Sequence, residues 1–208
     1  MSEKRKICIT TDCVCDLPDE MLKEYNVDVV YFYIETDSGR FRDVNEITAQ
    51  NIFEYLKNGG QKSMTTAPPP NEFIDVFTKK LKENDEVIHI ATGSSLSACV
   101  KNSKTAVEQM GTLGERVHIF DSGHLSTGIG HIVLKAVEMV RNGVDDSGRI
   151  LSELENMRDR VSTSFMADSA DYLYRNKRVS KAVQMLCGIF NIHPVLAMQK
   201  GILGLKSV

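Results

Sequence analysis

The chain has 208 residues, enough for one large domain or two small ones. Apolar residues make up 42% and charged residues 25%, an ordinary balance for a globular protein, and 25 Lys and Arg against 28 Asp and Glu leave a formal charge of −3. That balance gives no pull toward nucleic acid or anionic lipid surfaces, and no basic stripe is visible, so a nucleic-acid role is excluded.

The five cysteines are an odd set without a C-x-x-C pair, which argues against a disulfide framework. Cys13 and Cys15 form C-x-C, but no second Cys/His cluster accompanies them, so reduced thiols and no metal or cofactor are expected. Four of the first six residues are charged, and they lead only into the short apolar run Ile7 to Ile9, unlike a signal peptide. No apolar stretch approaches the roughly 20 residues that span a bilayer, so no stable membrane insertion is expected and the cytoplasm is the default location.

In chain order, Lys6 to Thr10 reads as a first strand and Val27 to Ile34 (VDVVYFYI) as a second. Ile52, Tyr55 and Leu56 give one helical apolar face, and Phe73, Val76, Phe77 and Leu81 give another. Val87 to Ala91 and Val117 to Phe120 are short β-branched runs. Ile129, Ile132, Val133, Ala136, Val137 and Val140 keep a clean 3- and 4-residue spacing. This alternation predicts an α/β fold, a mostly parallel sheet flanked by helices. Asn, Gly and Asp cluster from Asn142 to Gly148, which divides residues 1–146 from a second, smaller and incomplete α/β part at 147–208. That part reads as a polar helix from Arg149 to Arg160, a strand near Phe165, two short helices, a strand at Pro194 to Met198, a hairpin turn at Lys200-Gly201, and the start of a return strand.

Four polar segments follow strands or open helices, where ligands collect in open α/β sheets. Thr10 to Pro18 offers Asp16 as an N-cap with Pro18 in the first helical turn. Ser63 to Pro70 reads as a stiff loop whose Thr65 and Thr66 hydroxyls can donate to an oxyanion at little ordering cost. Thr92 to Ser97 enters a helix near Leu96 or Ser97; serine hydroxyls and backbone N–H groups there suit a carboxylate or phosphate, or simple capping. Asp121 to Gly130 has the glycine spacing of a P-loop without its Lys, and a G-x-G-x-x-G whose third glycine is Val133, so both nucleotide fingerprints fail and the glycines read as close-packing or turn positions. No G-x-S-x-G elbow or H-E-x-x-H is present, and His89 and His118 read as structural strand residues.

Read together, these segments resemble the DegV family of lipid-binding proteins. The family's T-D-S-x-x-D-L-P motif is matched by Thr11 to Pro18 with Cys13 in the serine place, and its acidic segment by Asp43 to Thr48. Its T-S-x-P-S loop is matched by Thr65 to Pro69, and its serine loop by Gly93 to Val100 with several replacements. Asp121, Ser122, Ser126, Gly128 and Gly130 keep the D-S-x-x-x-S-x-G-x-G pattern. Arg178 and Ser180 survive from a segment whose two glycines are lost, and Ile192 to Leu196 matches the I-K-P-[IV]-L strand.

The resemblance implies a two-part fold enclosing a long-chain fatty acid, presented to a separate fatty-acid kinase subunit by a carrier that is not itself an enzyme. It carries the carboxylate ligands to Thr65 and Ser94, with Thr66, Ser95 and Ser97 as secondary donors and Arg178 supplying positive charge near the head group. Phe73, Leu96, Ile129 and Ile189 are the expected wall residues. Family members run longer, and the part that closes the pocket and supplies a histidine is expected to be missing here. The alternatives are a short form that no longer binds lipid and acts as a scaffold, and an enzyme acting on phosphate or acyl groups through Asp12, Ser94 or His124.

Overall fold

The computed structural model describes residues 4–168, 170–175, 180–190 and 193–207. In chain order the elements are β1 (Ile7–Asp12), a 3-10 turn at Cys13–Cys15, α1 (Asp19–Glu24), β2 (Asp28–Val30), β3 (Tyr33–Thr36), β4 (Gly39–Arg42), α2 (Ala49–Lys57), β5 (Ser63–Thr66), α3 (Pro70–Lys80) and β6 (Glu86–Ala91). Then follow α4 (Cys99–Gln109), a second 3-10 segment at Gly111–Arg116, β7 (Val117–Asp121), α5 (Thr127–Arg141), α6 (Ser147–Arg158), β8 (Ser164–Met166), α7 (Asp171–Arg175), α8 (Lys181–Phe190), β9 (Val195–Gln199) and β10 (Ile202–Ser207).

A parallel sheet in the order β2-β1-β6-β7 forms the centre. Its strands are buried on both faces, and the two-residue period sorts their side chains into two cores. Ile7 and Ile9 of β1, Ile88 and Ile90 of β6 and Phe120 of β7 pack against α5 and α6 through Ile129, Ile132, Val133, Ala136, Ile150 and Leu154. Cys8, Val87, Ala91 and Val117 face the other way, onto Phe73 and Phe77 of α3 and Cys99, Val100 and Ala106 of α4. α6, which lies after the Asn142 to Gly148 punctuation, thus contributes to the first of these cores.

Two smaller antiparallel sheets complete the fold, in the orders β4-β3-β5 and β10-β9-β8. The first differs from the sequence expectation at two places. The Val27 to Ile34 run is not one strand: Asp28–Val30 joins the parallel sheet and Tyr33–Thr36 crosses into the antiparallel one. The Ser63–Thr66 stretch is a strand paired with β3 rather than a loop. Arg42 and Tyr33 tie this sheet to α3 through Glu72.

The glycines of the 121–130 segment serve close packing. A Cβ at Gly128 would fall 2.1 Å from the Thr163 hydroxyl, and one at Gly130 would lie 2.8 Å from the Cys15 carbonyl oxygen. Asp16 is not the N-cap of α1: that position falls on Pro18, while Asp16, with a φ of 53°, closes the 3-10 turn at Cys13–Cys15 and its carboxylate accepts the Ser126 hydroxyl at 2.5 Å. No helix among the described residues is long and apolar enough to cross a membrane.

Candidate functional site

The strand order places a crevice between β1 and β6. The chain leaves β1 toward β2 on one side and leaves β6 toward β7 on the other, and such a switch point opens at the carboxyl ends of the strands. The turn from Thr92 to Ala98 sits there, between β6 and α4.

Two strand-end carboxylates hold this turn. Asp12, at the end of β1, accepts from both the Thr92 backbone N–H and the Thr92 hydroxyl through Oδ2, each at 2.7 Å. Asp121, at the end of β7, accepts from the backbone N–H groups of Ser94 and Gly123 through Oδ1, at 3.1 and 3.0 Å. The Gly93 N–H donates to the His124 carbonyl at 2.9 Å, while the N–H groups of Leu96 and Ser97 close onto the Gly93 carbonyl. The amides of Ser94, Leu96 and Ser97 are therefore committed within the protein. An anion at the turn meets hydroxyls rather than these amides, and α4 itself begins at Cys99, later than the sequence pattern suggests.

The serines divide by what their hydroxyls do. Ser95 donates to the Gly201 carbonyl in the β9–β10 turn, which stitches the antiparallel sheet to this site. Ser97 donates to the Cys99 sulfur and accepts the Cys99 N–H, both at 3.3 Å. Ser94 is exposed, and its hydroxyl has no hydrogen-bond partner among the described residues. A groove of about 760 Å3 runs from Ser94 to Ala98 along α4, with Leu96 and Val100 in its wall and Lys101 and Lys104 beside them.

Thr65 and Thr66 stand on β5, opposite Ile34 and Tyr33 of β3. The Thr66 hydroxyl donates to Glu35 at 3.1 Å, and Glu35 is held below the usual carboxylate range by hydrogen bonds from Lys62 and Thr66. Thr65 is exposed, and its hydroxyl is uncommitted among the described residues. The chain then runs onto α4: Ala67 packs in the core that holds Cys99 and Val100, and the Pro68 carbonyl accepts the Asn102 side-chain N–H at 2.8 Å. The threonine segment and the serine turn thus both lead to the first turns of α4.

The remaining expected residues fall differently. Phe73 and Ile129 are fully buried, each within a packed core, and neither lines the groove along α4. Arg178 and the Ile189 side chain lie outside the described residues. His124 is buried, with Nδ1 against the Thr163 hydroxyl and Nε2 against the Arg158 carbonyl, both at 3.0 Å. With both ring nitrogens engaged it has no free position from which to transfer a phosphoryl group.

Burial disfavours the thiolate form of the cysteines near the site. Burial pushes Cys13 up to about 12 and raises Cys15 and Cys99 as well. Among the described residues no group of three or more His, Cys, Asp or Glu side chains is arranged to hold a metal ion.

Asp121 and Thr92, the residues that fix the turn, stand out weakly in the sequence. Thr92 is only a threonine ending a β-branched run, Asp121 only the first residue of the D-S-x-x-x-S-x-G-x-G pattern, and their bonds to Asp12 and to Ser94 join segments far apart in the chain.

The fold and this site define an α/β protein whose parallel sheet carries a hydroxyl-bearing turn at its switch point, with two small antiparallel sheets beside it. The chain belongs to the DegV family: the model described as an uncharacterised protein of that family matches residues 6–206. It is 32% identical over 196 residues to a DegV domain-containing protein of Caldanaerobacter subterraneus, a match that covers 94% of this chain and 69% of that protein. It is 26% identical over 190 residues to protein DegV of Bacillus subtilis, covering 91% of this chain and 67% of that one. Among solved structures, a DegV family protein from Thermus thermophilus, described by its fatty acid binding, superposes with a TM-score of 0.87 at 29% identity, over 97% of this chain and 71% of that one. A stearic-acid-binding protein from Eubacterium ventriosum shares the fold, with a TM-score of 0.82 at 21% identity over 96% of this chain and 69% of that one.

Proposed function

We propose that this chain is a cytoplasmic carrier that binds a long-chain fatty acid, holds its carboxylate between the hydroxyls of Thr65 and Ser94, and presents it to a separate fatty-acid kinase subunit. The observation that carries the reading is the division of labour among five candidate hydroxyls. Thr66, Ser95 and Ser97 are spent on Glu35, Gly201 and Cys99, whereas Thr65 and Ser94 remain uncommitted among the described residues. The Thermus thermophilus relative, described by its fatty acid binding, supports the ligand class.

The energetics are consistent with this role. A tail of about 15 carbons offers roughly 12 kcal/mol on burial, before ordering costs that consume several. The carboxylate must keep its hydrogen bonds, because an unpaired charge costs more than one bond returns. Arg178 is proposed to add positive charge at the head group, and residues 1–146 and 147–208 to form the two parts between which the acid lies.

Organic extraction of the purified protein followed by mass spectrometry tests the ligand. A co-purified acyl chain is the expected result. Protein that emerges empty and then refuses long-chain acids at micromolar concentration would remove the carrier reading.

A further inference from the structure

Asp12 and His89 are both completely buried, yet Asp12 Oδ1 and His89 Nε2 have no hydrogen-bond partner among the described residues. They face one another at 3.4 Å, longer than a well-formed hydrogen bond. The other ring nitrogen of His89, Nδ1, lies 3.0 Å from the Thr10 hydroxyl, and the rings of Phe73 and Phe77 hold the imidazole edge-on at 5.3 Å each. In the tautomer that carries its proton on Nε2, the ring directs that proton toward the Asp12 carboxylate, an arrangement that a surrounding apolar core tolerates better than two unpaired polar atoms. Apolar residues of similar size would fill this space at less cost, so packing alone does not explain the pair.

What the pair does is visible at the other carboxylate oxygen. Asp12 Oδ2 takes two short bonds from Thr92, one from its backbone and one from its side chain. Thr92 opens the turn that carries Ser94, and Asp121 grips the same turn at the Ser94 amide from the opposite neighbouring strand. β1 and β7 flank β6 in the sheet, so the turn hangs between two carboxylates. His89 Nε2 faces the other oxygen of the buried one.

We infer that Asp12, His89 and Thr92 form a buried strut that sets the position of the Ser94 hydroxyl, which makes them positioning residues for the head-group site. This inference rests on the carrier reading for its ligand and on the local geometry for its restraint, and the two are measured separately. Amide hydrogen exchange reads the turn without any ligand, and titration with palmitic acid reads the site.

Thr92→Val removes the hydroxyl bond and keeps the shape of the side chain, while Thr92→Ser keeps both bonds. A hydrogen bond to a charged group is worth enough that Thr92→Val is expected to speed exchange at the Ser94 amide about tenfold and to weaken palmitic acid binding about five- to tenfold. Thr92→Ser is expected to match the parent protein in both. Asp12→Asn, which keeps an acceptor for Thr92 but loses the charge, is expected to fall between them.

Unchanged exchange in Thr92→Val overturns the strut. Faster exchange with unchanged affinity overturns its positioning role. A parent protein that binds no palmitic acid, in which Thr92→Val still speeds exchange, supports the restraint and removes the carrier reading alone.

Discussion

Gly93 lies against the backbone of Gly123 so closely that a Cβ at position 93 would come within 2.9 Å of the Gly123 carbonyl carbon and 3.0 Å of the His124 nitrogen. Both obstacles are main chain, and Gly123 is itself fixed by its N–H bond to Asp121 and a φ of +63°. The loops after β6 and β7 therefore approach one another as only a glycine permits. Gly93→Ala is expected to cost about 1 to 3 kcal/mol through overpacking. It is also expected to weaken acid binding, because the displaced residue is next to Ser94. Urea unfolding and fatty-acid titration of the same variant check both effects; stability equal to the parent would mean that the close approach is not restrictive.

What the sequence made legible here was periodic. β1, β6 and β7 show as short apolar runs, and α5 shows as a 3- and 4-residue spacing, because each buries a regular face against one layer. The Val27 to Ile34 run illustrates where this stops. Its β-branched and aromatic residues suit a strand throughout, but nothing local says that the chain leaves one sheet after Val30 and enters another at Tyr33. The same holds at the site. Thr65 and Ser94 are candidates through family motifs, whereas the Asp12–Thr92 bonds join residues 80 positions apart and follow only from the order of the strands. The close-packing role of Gly128 and Gly130 was expected from the failure of the nucleotide fingerprints, but its partners, Thr163 and Cys15, come from distant segments.

Glu72 provides a pH-dependent tether for the β4-β3-β5 sheet. Burial pushes its carboxyl up, but the Tyr33 hydroxyl at 2.5 Å and two bonds from Arg42 at 3.0 Å outweigh this and hold it below its ordinary value of 4.5. A carboxylate depressed in the folded state stabilises fully above its unfolded value and loses that contribution as the pH falls through the folded one. Glu72→Gln is therefore expected to be less stable than the parent by about 1 to 3 kcal/mol at neutral pH. The gap should narrow in strongly acidic solution. Urea unfolding of both proteins at the two conditions measures it, and a gap that does not change with pH would show that the ionised form of Glu72 is not what holds the sheet.

The thiols supply an independent probe of packing at the site. Burial raises Cys13 from 9.0 to about 12 and Cys8 to about 11, and raises Cys15 and Cys99 too. Alkylation requires the thiolate, so at mildly alkaline pH the native protein is expected to react with iodoacetamide at these positions about a hundredfold or more slowly than the urea-unfolded chain. Peptide mapping after timed labelling resolves each cysteine. Rapid labelling of Cys13 in the native state would mean that the β1 end of the crevice is open to water.

Thr65 stands on β5 of the β4-β3-β5 sheet and Ser94 in the turn between β6 and α4, so the contributions proposed for them to a shared carboxylate can be separated. Ser94→Ala and Thr65→Ala are each expected to weaken fatty-acid binding by about 1 to 3 kcal/mol, the cost of leaving a charged acceptor short of a donor. Neither hydroxyl supports another group among the described residues, so unfolding midpoints should stay near the parent value. If both donors serve one carboxylate, the double variant should show coupling, with a loss that differs from the sum of the single losses. Strictly additive losses would place the two hydroxyls on different parts of the ligand, and undiminished affinity in the double variant would move the head group away from these residues altogether.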